Sequence, residues 1–205
     1  MRPVIAYVTI ALAEFAASAA TTTIEKPVDA LTIILKFDGP HSDVSIAEMK
    51  RESESILRET GLHLSWRMRD EVDGESFSDL VIVRFRGKCM MEPTPFGYDE
   101  RGPLALTHTN GTVILPYSEV ECDKVRSSIR SAMSAGHYAR GDLLMGRALG
   151  RVLAHELYHI VGNTCEHAPD GVARRALSGA QLISDRLELR PVDAGAVKAW
   201  RIGRD

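Results

Sequence analysis

The chain has 205 residues, of which 44% are apolar and 26% are charged, and its formal net charge is −3. This length is enough for one compact domain with a hydrophobic core. The slightly acidic balance argues against a broad basic surface for nucleic acid, and no stretch beyond the N-terminus is apolar for long enough to cross a bilayer.

The first twenty residues differ from the rest of the chain. Arg2 is followed by an apolar run over residues 4–12 and then by small residues at positions 16–20. This order is typical of a secretory signal peptide. We therefore expect residues 1–20 to be a signal peptide, residues 21–205 to form a single domain, and the protein to be secreted or periplasmic.

Apolar periodicity predicts the elements of the first half. Many β-branched residues indicate a buried strand at residues 30–37. Helical spacing among charged residues indicates an amphipathic helix at residues 44–60, which Gly61 ends. Alternation of apolar and polar residues predicts two more strands, at residues 62–68 and 79–85.

The second half begins with a segment rich in Pro and Gly, residues 89–102, which predicts a long loop. Asn110-Gly111 lies between two β-type runs, at residues 104–109 and 112–117, which is typical of a β-hairpin. Three helices are then predicted, at residues 125–138, 141–162 and 181–189. The order of elements predicts an α+β fold with a twisted mixed sheet and helices packed against it.

The helix predicted at residues 141–162 carries a metal-binding motif, His155-Glu156-Leu157-Tyr158-His159. Residues four apart lie on one helix face, so the two imidazoles can reach one ion. Glu156 is displaced around the helix, where it can hold a water molecule. Zn²⁺ prefers four ligands and a catalytic site keeps one position for water, so the motif predicts one catalytic zinc ion with Glu156 as general base.

At these residues the sequence resembles the metzincin clan of zinc peptidases, whose motif is HExxHxxGxxH. Residues 155–162 (HELYHIVG) match its first eight positions. The resemblance implies a zincin-like fold in which a central helix carries the motif beneath a twisted sheet. It also implies that an edge strand lines the substrate cleft, and either strand of the hairpin is a candidate.

The third zinc ligand departs from the clan pattern. The matching position holds Cys165, whereas His167 comes two residues later. We favour His167 because a loop absorbs two extra residues at little entropic cost, and because HELYHIVGNTCEH looks like a group of small secreted bacterial metzincin-like proteins. Cys165 remains the alternative, and Glu188 is a weaker candidate. The chain has no Met after Met145, so it lacks the Met-turn of the clan.

The chain has three cysteines, so at least one stays free, binds metal or pairs between chains. Cys89 follows the third predicted strand and Cys122 follows the hairpin, so the two are expected to be neighbours. An oxidising compartment permits a Cys89–Cys122 disulfide, and the alternative is a pair of free buried thiols.

Together these features predict a secreted zinc metalloendopeptidase that acts on protein or peptide substrates. No nucleic-acid partner and no stable membrane insertion after signal cleavage are expected. One alternative is a metzincin-like zinc-binding protein without catalysis, in which Cys165 closes the coordination sphere. Another is a hydrolase of a non-peptide bond. The sequence does not indicate substrate specificity or oligomeric state.

Overall fold

A computed structural model describes residues 30–92 and 102–202. The predicted signal peptide and residues 93–101 of the predicted loop lie outside this range. The strands are β1 (Ala30–Phe37), β2 (His63–Met68), β3 (Leu80–Arg86), β4 (Ala105–Asn110) and β5 (Val113–Glu121). The helices are α1 (Asp43–Leu57), α2 (Cys122–Ala132), α3 (Gly141–Val161), α4 (Gly179–Ile183) and α5 (Pro191–Ile202).

The five strands form one mixed sheet in the order β2-β1-β3-β5-β4. β4 pairs antiparallel with β5, and the other neighbouring pairs are parallel. Asn110 pairs with Val113 across a two-residue turn, and Gly111 adopts the positive φ of 61° that such turns favour. The predicted α+β class, mixed sheet and hairpin are confirmed, although β5 extends beyond the predicted end of its strand.

The core lies between the sheet and the two long helices, α1 and α3. Apolar side chains from β1, β3 and β5 meet those of both helices in one buried cluster. α3 contributes most of its length to this cluster, because Leu149, Leu153 and Leu157 are fully buried at intervals of four residues. The helix with the metal motif is thus fixed at the centre of the molecule.

The helix predicted at residues 125–138 is shorter than expected. α2 begins at Cys122 and ends at Ala132, and a separate 3₁₀ turn follows at Ala135–Arg140. Met133 leaves the helix with extended backbone angles, and the backbone N–H of Ser134 donates to His137 Nδ1 at the start of the 3₁₀ turn. The helical pattern of the sequence therefore spans two elements.

The helix predicted at residues 181–189 is wrong. α4 ends at Ile183, and the C-terminal helix is α5, which begins at Pro191. The reason is the buried guanidinium of Arg151, which donates to the carbonyl oxygens of Gln181 and Ser184. Those carbonyls would accept helical N–H groups if α4 continued. Pro191 then takes the first helical position, where its missing N–H costs nothing.

The predicted disulfide between Cys89 and Cys122 is confirmed. It connects the residues after β3 to the first turn of α2, and both cysteines are completely buried. Cys165 is free and exposed. Within residues 30–92 and 102–202, no helix is both long and apolar enough to cross a membrane.

Two glycines on α3 allow α1 to approach unusually closely. A Cβ atom at Gly146 would lie 2.4 Å from the carbonyl oxygen of Ser45, and one at Gly150 would lie 2.8 Å from that of Met49. The Ser53 hydroxyl donates to the Gly150 carbonyl across the same contact, at 3.1 Å. Both positions therefore exclude a side chain, although glycine is a poor helix former.

We expect Gly146→Ala to lower the free energy of unfolding by about 1–3 kcal/mol, because the added methyl group overpacks a backbone contact. Gly195→Ala in α5 is the matched control, since nothing lies within 4 Å of its Cβ position. The control should gain up to about 1 kcal/mol from helix propensity. Urea denaturation of both variants measures this difference, and a stabilised Gly146→Ala protein would contradict the close packing of α1 on α3.

Candidate metal centre

His155 and His159 project from the same face of α3 near its C-terminal end. Their Nε2 atoms lie 3.0 Å apart. His159 is 8% exposed and His155 is half-buried. Burial lowers the pKa of both imidazoles below the ordinary value, so both rings are neutral at neutral pH, the form in which histidine binds metals.

Backbone carbonyls set the proton position on both rings. His155 Nδ1 lies 2.8 Å from the carbonyl oxygen of Val172, and His159 Nδ1 lies 2.7 Å from that of Thr164. A carbonyl oxygen can only accept, so each Nδ1 carries the proton and donates. The Nε2 atom of each ring is therefore unprotonated and presents its lone pair to the Nε2 atom of the other ring. Two facing lone pairs at this distance repel unless a cation lies between them, which is the arrangement that a metal ion requires.

The turn after α3 brings the Thr164 carbonyl back onto the helix. Asn163 adopts a left-handed conformation with φ of 45°, and the Thr164 N–H donates to the His159 carbonyl at 3.1 Å. Asn tolerates this conformation better than most residues. A second turn places Val172, because Ala168 and Arg174 form an isolated bridge and the Ala168 N–H donates to the Ala173 carbonyl at 2.9 Å.

His167 completes a cluster of three imidazoles. One ring nitrogen from each of His155, His159 and His167 lies within 4.8 Å of the others. The His167 ring centroid lies 4.7 Å from that of His159 and 5.3 Å from that of His155. Three imidazoles with an open side fit a tetrahedral zinc ion that keeps one position for water.

The other candidate ligands do not join this cluster. Cys165 lines the same cavity as the three histidines, but its sulfur is not among the ligand atoms that converge. The Glu188 carboxylate accepts from the Arg186 guanidinium at 2.7 Å. Among the described residues, His155, His159 and His167 are the group whose ligand atoms can share an ion.

Glu156 points from α3 towards the sheet. It is 5% exposed, and its Oε2 accepts from Thr107 Oγ1 at 2.6 Å and from Ser118 Oγ at 3.4 Å. Burial raises the pKa of Glu156, and the Thr107 hydroxyl opposes that rise. A carboxyl group with a raised pKa is suited to taking and returning a proton near neutral pH.

Sequence reasoning did not identify Thr107 and Ser118. Thr107 lies within a predicted strand, but the pattern does not indicate which buried group its hydroxyl contacts. Ser118 lies just after the predicted end of its strand, so its inward orientation was not indicated. The carbonyl partners, at Thr164 and Val172, belong to turns that carry no side-chain signal.

A cleft passes along the metal centre beside β4. Two cavities, of about 640 and 390 Å³, are both lined by Ala105, His155 and Glu156. In the described part of the chain β4 is one of the two edge strands of the sheet, and β2 is the other. Of the two hairpin strands considered, β4 is the edge strand and lines both cavities, whereas β5 contributes Ile114 to the smaller one.

Comparisons with known proteins bear on the fold. No family model and no curated protein matches the chain. Among solved structures, the crystal structure of archaemetzincin from Methanopyrus kandleri is similar, with a TM-score of 0.54 and 10% sequence identity, over 87% of this chain and 99% of that chain. At this identity the likeness concerns the fold, and the expected zincin-like fold is confirmed.

We expect His155→Ala, His159→Ala and His167→Ala each to lose bound zinc after purification with zinc and extensive dialysis. Cys165→Ala should retain one zinc ion per chain and is the matched control from the same loop. Elemental analysis by mass spectrometry measures the metal content, and circular dichroism establishes that each variant is folded. Zinc retained by His167→Ala and lost by Cys165→Ala would reverse the assignment of the third ligand.

Proposed function

We propose that this protein is a secreted or periplasmic zinc-dependent metallopeptidase that hydrolyses peptide bonds. The observation that supports this function best is the convergence of three imidazoles beside the buried side chain of Glu156, in a cleft along an edge strand. The Cys89–Cys122 disulfide supports an oxidising compartment, in agreement with the signal peptide expected at residues 1–20.

In this proposal His155, His159 and His167 hold the ion. Bound zinc supplies Lewis acidity, which acidifies water and polarises the scissile carbonyl. The Thr164 and Val172 carbonyls keep two of the rings in the tautomer that offers Nε2. Such partners increase ligand basicity and fix ring orientation.

Glu156 takes the proton from the attacking water and delivers it to the leaving amine nitrogen. Its carboxylate is suited to both steps because burial raises its pKa. The Thr107 hydroxyl holds Oε2, and the second carboxylate oxygen is the one that would contact the water. Thr107 is therefore a positioning residue for Glu156.

β4 binds the peptide substrate. An edge strand has unpaired backbone N–H and C=O groups, which an extended peptide can pair with as an additional strand. β4 contributes to both cavities, which also share His155 and Glu156 as lining residues. A peptide aligned along β4 would thus present one of its carbonyl groups beside the metal centre.

We expect Glu156→Gln to retain zinc and to lose peptidase activity by about 10²–10⁴-fold, because a neutral amide cannot accept the proton of water. The matched control is Glu188→Gln, which makes the same change at an exposed residue and should keep full activity. The assay is cleavage of a mixed peptide library by the zinc-loaded protein, read by mass spectrometry. A fully active Glu156→Gln protein would contradict the role of Glu156.

The rival functions make different predictions in the same assay. A non-catalytic zinc protein would cleave no substrate although it is loaded with metal. A hydrolase of another bond would cleave simple esters or non-peptide amides, but not peptides. Either result with folded, zinc-loaded wild-type protein would contradict the peptidase proposal.

Replacement of Thr107 by Val should lower kcat about tenfold with little change in KM, because the carboxylate loses its hydrogen bond while the shape of the strand is kept. Thr107→Ser restores the hydroxyl and should recover most of kcat. Steady-state kinetics on one peptide separates the two parameters. Equal kcat values for the Val variant and the wild type would exclude the positioning role.

A further inference from the structure

The larger cavity beside the metal centre is lined in part by residues that do not line the smaller cavity. Its volume is about 640 Å³, within the range of pockets that bind small ligands. It lies between α2, the residues that lead into β4, and the segment 174–177 that follows the turn at Val172. Because His155 and Glu156 also line it, any group bound there is adjacent to the bond that would be cleaved.

The cavity is positively charged. Lys124, Arg174 and Arg175 line it, and Glu156 is the acidic residue among its lining residues. Within residues 30–92 and 102–202, none of the three cations takes part in an ion pair. Elsewhere on the described surface, Arg84, Arg86 and other cations are paired with carboxylates. The cavity therefore has three positive charges with no partner assigned in the described fold.

Lys124 contributes a positive charge to the wall of the cavity. Lys124 is half-buried on α2, and its Nζ lies 3.2 Å from where a Cβ atom of Gly102 would be. Ser127, Ser128 and Ser131 follow at helical spacings on the same face of α2 and also line the cavity. The hydroxyl groups of Ser127 and Ser128 add hydrogen-bond donors to the cavity, whereas the Ser131 hydroxyl donates to the Ser128 carbonyl at 2.7 Å.

Arg175 lines both cavities, whereas Lys124 and Arg174 line the larger one. Arg175 is thus shared by the two cavities, and the other two cations distinguish the larger cavity from the smaller one. An anionic group on the substrate would be attracted to the larger cavity. The second cavity is lined instead by Leu106, Ile114 and the threonines of β4.

We infer that the larger cavity binds a carboxylate of the peptide substrate, with Lys124 and Arg174 as its cationic contacts, and so selects substrates with an acidic group next to the cleaved bond. This inference rests on the proposed peptidase function and specifies its substrate class. The carboxylate can come from an Asp or Glu side chain or from the C-terminus of a short peptide. Both sources present the same carboxylate group, and binding of suitable peptides distinguishes them.

Binding is tested with zinc-loaded Glu156→Gln protein, which is expected to cleave its ligand about 10²–10⁴-fold more slowly than the wild type. Fluorescently labelled peptides with an amidated C-terminus carry either Glu or Gln at each position in turn, and a third series has a free C-terminal carboxylate. The Glu peptide of one position, or the free-carboxylate peptide, should bind about tenfold more tightly than its neutral counterpart, because charged hydrogen bonds outweigh neutral ones. Higher salt should reduce this preference.

The double substitution Lys124→Gln with Arg174→Gln should abolish the preference. The matched control is Lys36→Gln with Arg69→Gln, which removes the same charges at residues that line neither cavity and should preserve it. Preference for the Glu peptide identifies a side-chain carboxylate, and preference for the free carboxylate identifies the peptide C-terminus. Equal affinity for all three peptide series would overturn the inference, and this comparison requires no substitution at Lys124 or Arg174.

Cleavage by the wild-type protein separates this inference from the function on which it rests. Mass spectrometry of a digested peptide library should show acidic groups enriched on one side of the cleavage sites. Cleavage without such enrichment would overturn the acidic selectivity and leave the peptidase function intact. A zinc-loaded protein that cleaves no peptide would instead contradict the proposed function, while the binding experiment would still test the charge preference.

Discussion

The nitrogens of two buried imidazoles, His155 and His159, face each other at 3.0 Å, and each ring directs its proton to a backbone carbonyl on the far side. The facing lone pairs repel each other, and a cation between them relieves that repulsion. The surrounding structure maintains this arrangement, because the end of α3 and the turns at Thr164 and Val172 all have to be in place before both carbonyls can accept. His167 lies on the loop between the two turns and is the third histidine of the cluster.

α3 can hold this site because its faces have different tasks. One face has glycine at two positions, which allows the backbone of α1 to pack closely. The hydroxyl groups of Ser45 and Ser53 donate hydrogen bonds to α3 carbonyls at this contact. On another face Arg151 organises the segment after α4. The remaining face carries the histidines and Glu156 towards the cleft. The close packing of the first two faces limits movement of the third, which favours a preorganised site.

Local patterns in the sequence were sufficient for much of the fold. β1, the hairpin and α3 follow from β-branched runs, the Asn110-Gly111 turn and the long apolar helix, because each signal acts within a few residues. The C-terminal helix was misplaced because a distant residue, Arg151, takes the carbonyls that would have extended α4. The motif indicated His155, His159 and Glu156 because they are close together in the sequence. The contacts of Thr107 and Ser118 with Glu156 depend on how the sheet packs on α3, which no local pattern indicates. The His167 prediction agrees with the geometric cluster, and its role as a ligand remains a prediction.

The central claim is that zinc is held by three imidazoles with an open position beside Glu156. X-ray absorption at the zinc edge of the metal-loaded wild-type protein measures this most directly, since it identifies the atoms that surround the ion. The account predicts nitrogen and oxygen neighbours only, with the scattering pattern of three imidazole rings. A sulfur neighbour at about 2.3 Å would place Cys165 on the metal and contradict the open, three-histidine site.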